Sequence, residues 1–99
     1  MYVVVRSYSG PGASELFDLL GQREQDVKEL IGGVPGFVSY AAFRSGADSG
    51  MTVTACQDKA GTDESSRRAA EWVKENVSTT GSPPAITEGS TVLQFGAQL

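Results

Sequence analysis

The sequence predicts an α+β domain in which four strands and two helices follow one another as β-α-β-β-α-β. Three observations predict it. Runs rich in β-branched and aromatic residues recur at Tyr2 to Tyr8, Phe37 to Arg44, Met51 to Gln57 and Ile86 to Phe95. Two intervening segments, ending near Ile31 and Val77, carry apolar residues at helical spacing. Glycine, proline and small polar residues punctuate the junctions.

The first strand is stopped by Gly10-Pro11-Gly12. Ser14 is placed to cap the first helix, and Glu15 and Asp18 complement the positive end of its dipole. Leu16, Leu20, Val27, Leu30 and Ile31 fall on one stripe, widened by Phe17 and Leu19, which predicts one continuous helix. The stretch "IGGVPGFVSYAAFRSG" then turns the chain sharply. Gly32 sits where a left-handed cap is wanted, Pro35 forbids further helix, and Gly36 frees the turn.

The second strand follows without a spacer. Alternation sets Phe37, Ser39, Ala41 and Phe43 on one side and Val38, Tyr40, Ala42 and Arg44 on the other. Ser45 to Gly50, "SGADSG", reads as a hairpin loop before the third strand. Thr62 or Asp63 is expected to cap the second helix, which runs through "ESSRRAAEWVKENV". Ser78 to Pro84 is a polar loop, and the fourth strand carries a glycine at Glu88-Gly89 that predicts a bulge. Residues 1–99 form a single domain without internal repeats.

Joined by right-handed crossovers, these elements give the ferredoxin-like arrangement: a four-stranded antiparallel sheet with both helices on one face. The other face should then be polar. It is not. Val3 and Val5 lie on one side of the first strand, with Tyr2, Val4 and Tyr8 on the other, and the second strand is similarly apolar on both sides. A second copy of the chain is the simplest cover, which predicts a homodimer. A small domain gains most from such added burial.

Charge and composition narrow the partners. The net charge of −4 and scattered basic residues speak against nucleic acid, whose phosphates would be repelled. No stretch approaches the length of a membrane span, and "MYVVVRSYSG" lacks the basic flank and apolar length of a leader. A lone Cys56 excludes an internal disulfide and fits a reducing, cytoplasmic setting. With no histidine, a nitrogen- and sulfur-ligated metal site within one chain is not expected.

Three segments resemble the dimeric α+β barrel superfamily, in its antibiotic-biosynthesis-monooxygenase-like (ABM-like) branch. They are "VPGFVSY" after the first helix, "VTACQDKAG" leading into the second, and "ITEGSTVLQF" as the closing strand. The resemblance implies two protomers with facing sheets and a ligand cavity between each sheet and its own helices. It also implies several possible uses for that cavity: cofactor-free oxidation of phenols, haem cleavage, or no established activity. Haem-cleaving members use an axial histidine, which this chain lacks, so no cofactor is expected. In the cofactor-free type the substrate becomes an electron-rich anion that reacts with dioxygen directly. The protein then supplies orientation, a proton acceptor and an electrostatic setting for the charge.

The candidate pocket residues are Trp72, Asn76, Tyr40, Tyr8 and Arg44, and none is assigned a catalytic role. Trp72 and Asn76 are neighbours at i,i+4, with Trp72 on the flank of the stripe marked by Ala69, Val73 and Val77. The competing reading makes Trp72 a packing residue. Tyr8 with Arg6, and Tyr40 with Arg44, share strand faces and offer polar and cationic groups, although alternation does not say which face meets the helices. Cys56 lies just before a helix N-terminus, the setting a reactive thiol needs, against the inert buried thiol that free cysteine more often is. "SYSGPGASE" mimics a dinucleotide loop, but Glu15 would repel a pyrophosphate. Asp63-Glu64 diverge on a helix and read as dipole-favoured acids. Two functional classes follow: a homodimer acting on a small apolar or aromatic molecule as a cofactor-independent monooxygenase, or a non-catalytic binding or dimerisation module.

Overall fold

A computed structural model describes residues 1–79 and 81–96. The chain forms β1 (Tyr2–Ser9), α1 (Ala13–Gln22), α2 (Glu24–Gly32), β2 (Phe37–Gly46), β3 (Ser49–Cys56), α3 (Lys59–Asn76) and β4 (Ala85–Ser90). Its four strands lie in the order β2-β3-β1-β4, every neighbouring pair antiparallel. This is the ferredoxin-like arrangement, with the helices on one face.

Five local expectations are corrected. The first helix is two: α1 ends at Gln22, and Arg23 leaves helical geometry at φ −110° and ψ 37°. The apolar stripe explains the break. Between Leu20 and Val27 its inward rung is occupied by Arg23 and Glu24, so no buried side chain pins a continuous helix there. Second, the caps at both ends of this helical stretch shift: Gly12, not Ser14, occupies the N-cap of α1, without a side-chain bond. At the far end, Gly33 at φ −80° replaces the left-handed cap expected of Gly32, and Gly36 alone in this knot takes positive φ, +80°. Its freedom from a Cβ is what permits the turn.

The third correction concerns α3, which begins one turn earlier than Thr62 or Asp63. Asp58 is the cap, its side chain accepting from Gly61 N at 3.0 Å. That bond outweighs the helix-weakening glycine. Fourth, the register jumps between Phe37, opposite Cys56, and Ser39, opposite Ala55. This bulge transfers Phe37 to the face of Tyr40, Ala42 and Arg44, where simple alternation had put it opposite them. Fifth, β4 pairs regularly with β1 from Ala85 to Ser90, without a bulge at Glu88-Gly89. It stops there because β1 begins at Tyr2 and offers no further template. After a last bond from Thr91 N to Met1 O, Val92, Leu93 and Phe95 stand 98, 77 and 85% exposed. Thr80, within the predicted loop, lies outside the described residues.

The register also settles which face meets the helices. Tyr2, Val4, Arg6 and Tyr8 are paired with Cys56, Thr54, Thr52 and Gly50, and Arg6 bonds to Ser65 and Ser66 of α3. Val4, Leu16, Phe17, Val27 and Ile31 are buried in the layer between sheet and helices. Val3, Val5, Met51 and Val53 lie on the opposite face, half-buried, with Phe43 48% exposed. That face is apolar and open in the single chain.

Candidate functional site

The helix-facing side of the sheet carries a buried cation. Arg6 is 1% exposed. Its Nη1 donates to Thr52 Oγ1 at 3.2 Å and Thr54 Oγ1 at 3.1 Å on β3, its Nη2 to Ser65 Oγ at 2.7 Å, and its Nε to Ser66 Oγ at 3.1 Å. Alternation explains the cradle. Thr52 and Thr54 point the same way on the strand beside β1, while adjacent serines on α3 close it from above. Four hydroxyls accept from four of its five N–H donors, yet none carries charge. Burial holds three titratable groups of this region protonated: the Tyr8 phenol is raised, Tyr40 is pushed up to about 12, and the Cys56 thiol is raised by burial and then by Asp58. Desolvation in turn lowers the pKa of Arg6.

Beside this cation lies a small apolar void of about 20 Å³, bounded by Tyr8, Leu20, Ile31, Tyr40, Thr52 and Trp72. It has room for about one water and none for an aromatic ring. Two larger grooves flank the helical layer. One, of about 580 Å³, runs between α1/α2 and the edge strand β2 and includes Phe37, Tyr40, Arg44 and Lys28. The other, of about 550 Å³, lies between α1 and α3 under the chain that follows α3. Arg6 and Tyr8 are at its floor, Leu16, Val73 and Ile86 give apolar walls, and Lys74 joins them.

The roof of this second groove is clasped. The Glu15 carboxylate accepts from Ser78 N at 2.9 Å, Thr79 N at 3.0 Å and Ser78 Oγ at 2.8 Å, which holds its pKa down at about 2. A side chain at Gly12 would meet Thr79 O at 2.9 Å, so only glycine allows the segment to lie this close.

No protein-family model and no curated protein matches the sequence. Solved structures do match. A monooxygenase encoded by ActVA-Orf6 of Streptomyces coelicolor, in complex with nanaomycin D, aligns with a TM-score of 0.69 at 18% identity, covering 97% of this chain and 91% of that one. The haem degrader MhuD of Mycobacterium tuberculosis, with two haems bound, aligns at 0.64 and 16%, covering 97% and 100%. SnoaB, a cofactor-independent oxygenase of Streptomyces nogalater, aligns at 0.58 and 16%, covering 95% and 94%. The chain has the ABM-like fold.

Within this ABM-like fold Tyr8, Tyr40 and Trp72 of the sequence-predicted pocket residues meet around the small void, and Arg44 and Asn76 do not join them. Tyr8 reaches both the void and the α1–α3 groove, and its ring packs edge-on to Phe17 at 6.0 Å between centroids. Tyr40 and Arg44 line the other groove, where Arg44 is ion-paired with Asp18. Trp72 bounds the void. Asn76 borders none of these spaces. It donates to Trp72 O at 2.9 Å and accepts from Arg23 Nη1 at 3.2 Å, tying α3 to the α1–α2 break. Cys56 is wholly buried. Sequence reasoning missed Ser66 and Ile86 as groove residues, and it named Arg6 only beside Arg44 as one of two strand cations. The available signal was an arginine in an otherwise apolar, alternating strand. No helix among the described residues is long and apolar enough to cross a membrane, and no cluster of metal-ligating side chains stands out among them.

Proposed function

We propose that the chain works as an ABM-like homodimer that binds a small, flat aromatic molecule in the groove between α1 and α3, and oxidises it with dioxygen without a cofactor. The groove itself carries the reading. Its volume of about 550 Å³ lies in the range of small-molecule sites, and its apolar walls converge on a few polar groups. Tyr8, held protonated by burial, is a neutral donor for a ligand oxygen. The ActVA-Orf6 protein, alike in fold, is in complex with the small molecule nanaomycin D. Haem breakdown suits the donor set poorly: the sequence has no histidine, and the one thiol is fully buried.

The dimer is supported by the apolar open sheet face and by the exposure of Val92, Leu93 and Phe95. Sedimentation at micromolar concentration should give twice the 10.4 kDa chain mass. A stable monomer would contradict it. For the activity, oxygen uptake is measured across a panel of hydroxylated aromatics with no added cofactor. Uptake coupled to loss of one panel member supports the oxygenase. Thermal stabilisation by a panel member without uptake reduces the function to binding, and neither response removes both.

A further inference from the structure

We propose that Ser66, backed by Arg6, forms an oxyanion subsite in the α1–α3 groove, so that the molecule bound there is an aromatic monoanion. This rests on the reading of that groove as a ligand site, and it adds the charge of the ligand. The argument begins with an imbalance. A guanidinium buried to 1% exposure is costly unless an opposite charge accompanies it, and Arg6 has none among the described residues. Its hydroxyl cradle meets four of its five N–H donors and leaves its charge whole.

The groove lining repeats the imbalance. Arg6 and Lys74 are the charged residues of its lining, and the Glu15 carboxylate of the clasp lies outside that lining, held by Ser78 and Thr79. In a chain with 12 acidic and 8 basic residues, a groove of this size with only cations is a departure from the average surface. Lys74 forms no ion pair among the described residues, whereas in the other groove Lys28 meets Glu24 at 3.0 Å and Arg44 meets Asp18.

Ser66 supplies the contact that covered Arg6 cannot. Its Oγ accepts from Arg6 Nε at 3.1 Å, and its own hydroxyl proton is given to no acceptor among the described residues. Ser66 also lines the groove. A hydroxyl that accepts from a cation is polarised as a donor, so its free O–H suits a carboxylate or ionised hydroxyaromatic oxygen. Ala70 and Lys74 follow on the same face of α3 at one-turn intervals, which sets Lys74 about 12 Å along the axis from Ser66. Lys74 therefore draws the anion toward the groove, and Ser66 with Arg6 receives it.

The test compares naphthoate with its neutral isostere naphthamide on the purified full chain, by equilibrium dialysis at low and high salt. Naphthoate should bind about tenfold more tightly or better, as a charge-assisted bond implies. Ser66→Ala, which leaves the Arg6 charge in place, should remove most of that preference by weakening naphthoate several-fold more than naphthamide. Lys74→Gln should lower naphthoate affinity a few-fold at low salt only. Arg6→Met should abolish the preference, and if that variant does not fold, the Ser66 and Lys74 variants decide. Equal binding of both probes overturns the oxyanion subsite while the aromatic groove stands. Binding of neither probe overturns both. A preference that survives Ser66→Ala and Lys74→Gln places the anion elsewhere and overturns the subsite.

Discussion

The two grooves beside the helical layer are nearly equal in volume, about 580 and 550 Å³, and opposite in electrostatic character. In the groove along β2 each cation has its own carboxylate, and Arg44 and Lys28 are spent on Asp18 and Glu24. In the groove between α1 and α3, Arg6 is covered and Lys74 exposed, and neither meets an acid among the described residues. Equal room thus comes with unequal chemistry. Exposed pairs such as Arg44–Asp18 contribute little and leave little field. An uncompensated cation in a low-dielectric layer projects its potential into the adjoining groove. Size alone would not choose between them; charge does.

Removing the cation altogether should have the largest effect. Arg6→Ala opens a cavity at the centre of the layer and strips Thr52, Thr54, Ser65 and Ser66 of their common donor. Denaturant unfolding should show a loss of about 3–5 kcal/mol. A loss below about 1 kcal/mol would mean that the cradle is not part of the structural core. Next in size is Trp72→Ala. Trp72 is half-buried beside a void too small for a ligand, so packing dominates, and a loss of about 2–4 kcal/mol is expected in the same measurement. Trp72 emission should change little with naphthoate, and a large change would move the ligand into the interior.

The clasp over the α1–α3 groove sharpens the comparison through pH. Glu15 has its pKa lowered from 4.5 to about 2 in the folded chain by the Ser78 and Thr79 donors. Its contribution is therefore complete above about pH 4.5 and is lost as pH falls toward about 2. Proteolytic nicking after α3 should accelerate across that window. Glu15→Gln should show the faster cleavage already at neutral pH and a flatter acid response. The smallest effect belongs to the other groove. Arg44→Gln breaks one exposed pair and should cost less than about 1 kcal/mol, with aromatic binding unchanged. Loss of binding in that variant would reverse the assignment of the two grooves.

The fold was legible because its signals are periodic and local. Gly10-Pro11-Gly12 and Pro35-Gly36 mark real boundaries, and alternation in Tyr2 to Tyr8 placed Arg6 and Tyr8 on one face. What escaped were features decided by a competing local bond or by tertiary pairing. Asp58 starts α3 ahead of Gly61 because one carboxylate finds a free N–H. The bulge at Phe37 to Ser39 and the end of β4 depend on the partner strand, which no single segment encodes. The site was less legible for the same reason. Trp72 and Asn76 are adjacent on α3 yet serve different surroundings, and the Arg6 cradle joins residues from β1, β3 and α3. Strand alternation reports a face, and it cannot report which hydroxyls lie across the layer.

The assignment of the ligand to the α1–α3 groove is tested most directly by mapping amide chemical shifts during a naphthoate titration. The account predicts that Ser9, Ser66, Ala70 and Ile86, which line that groove, move together with saturable behaviour, while Lys28, Ala42 and Phe43, which line the other, stay in place. Saturable shifts confined to Lys28, Ala42 and Phe43 would contradict it.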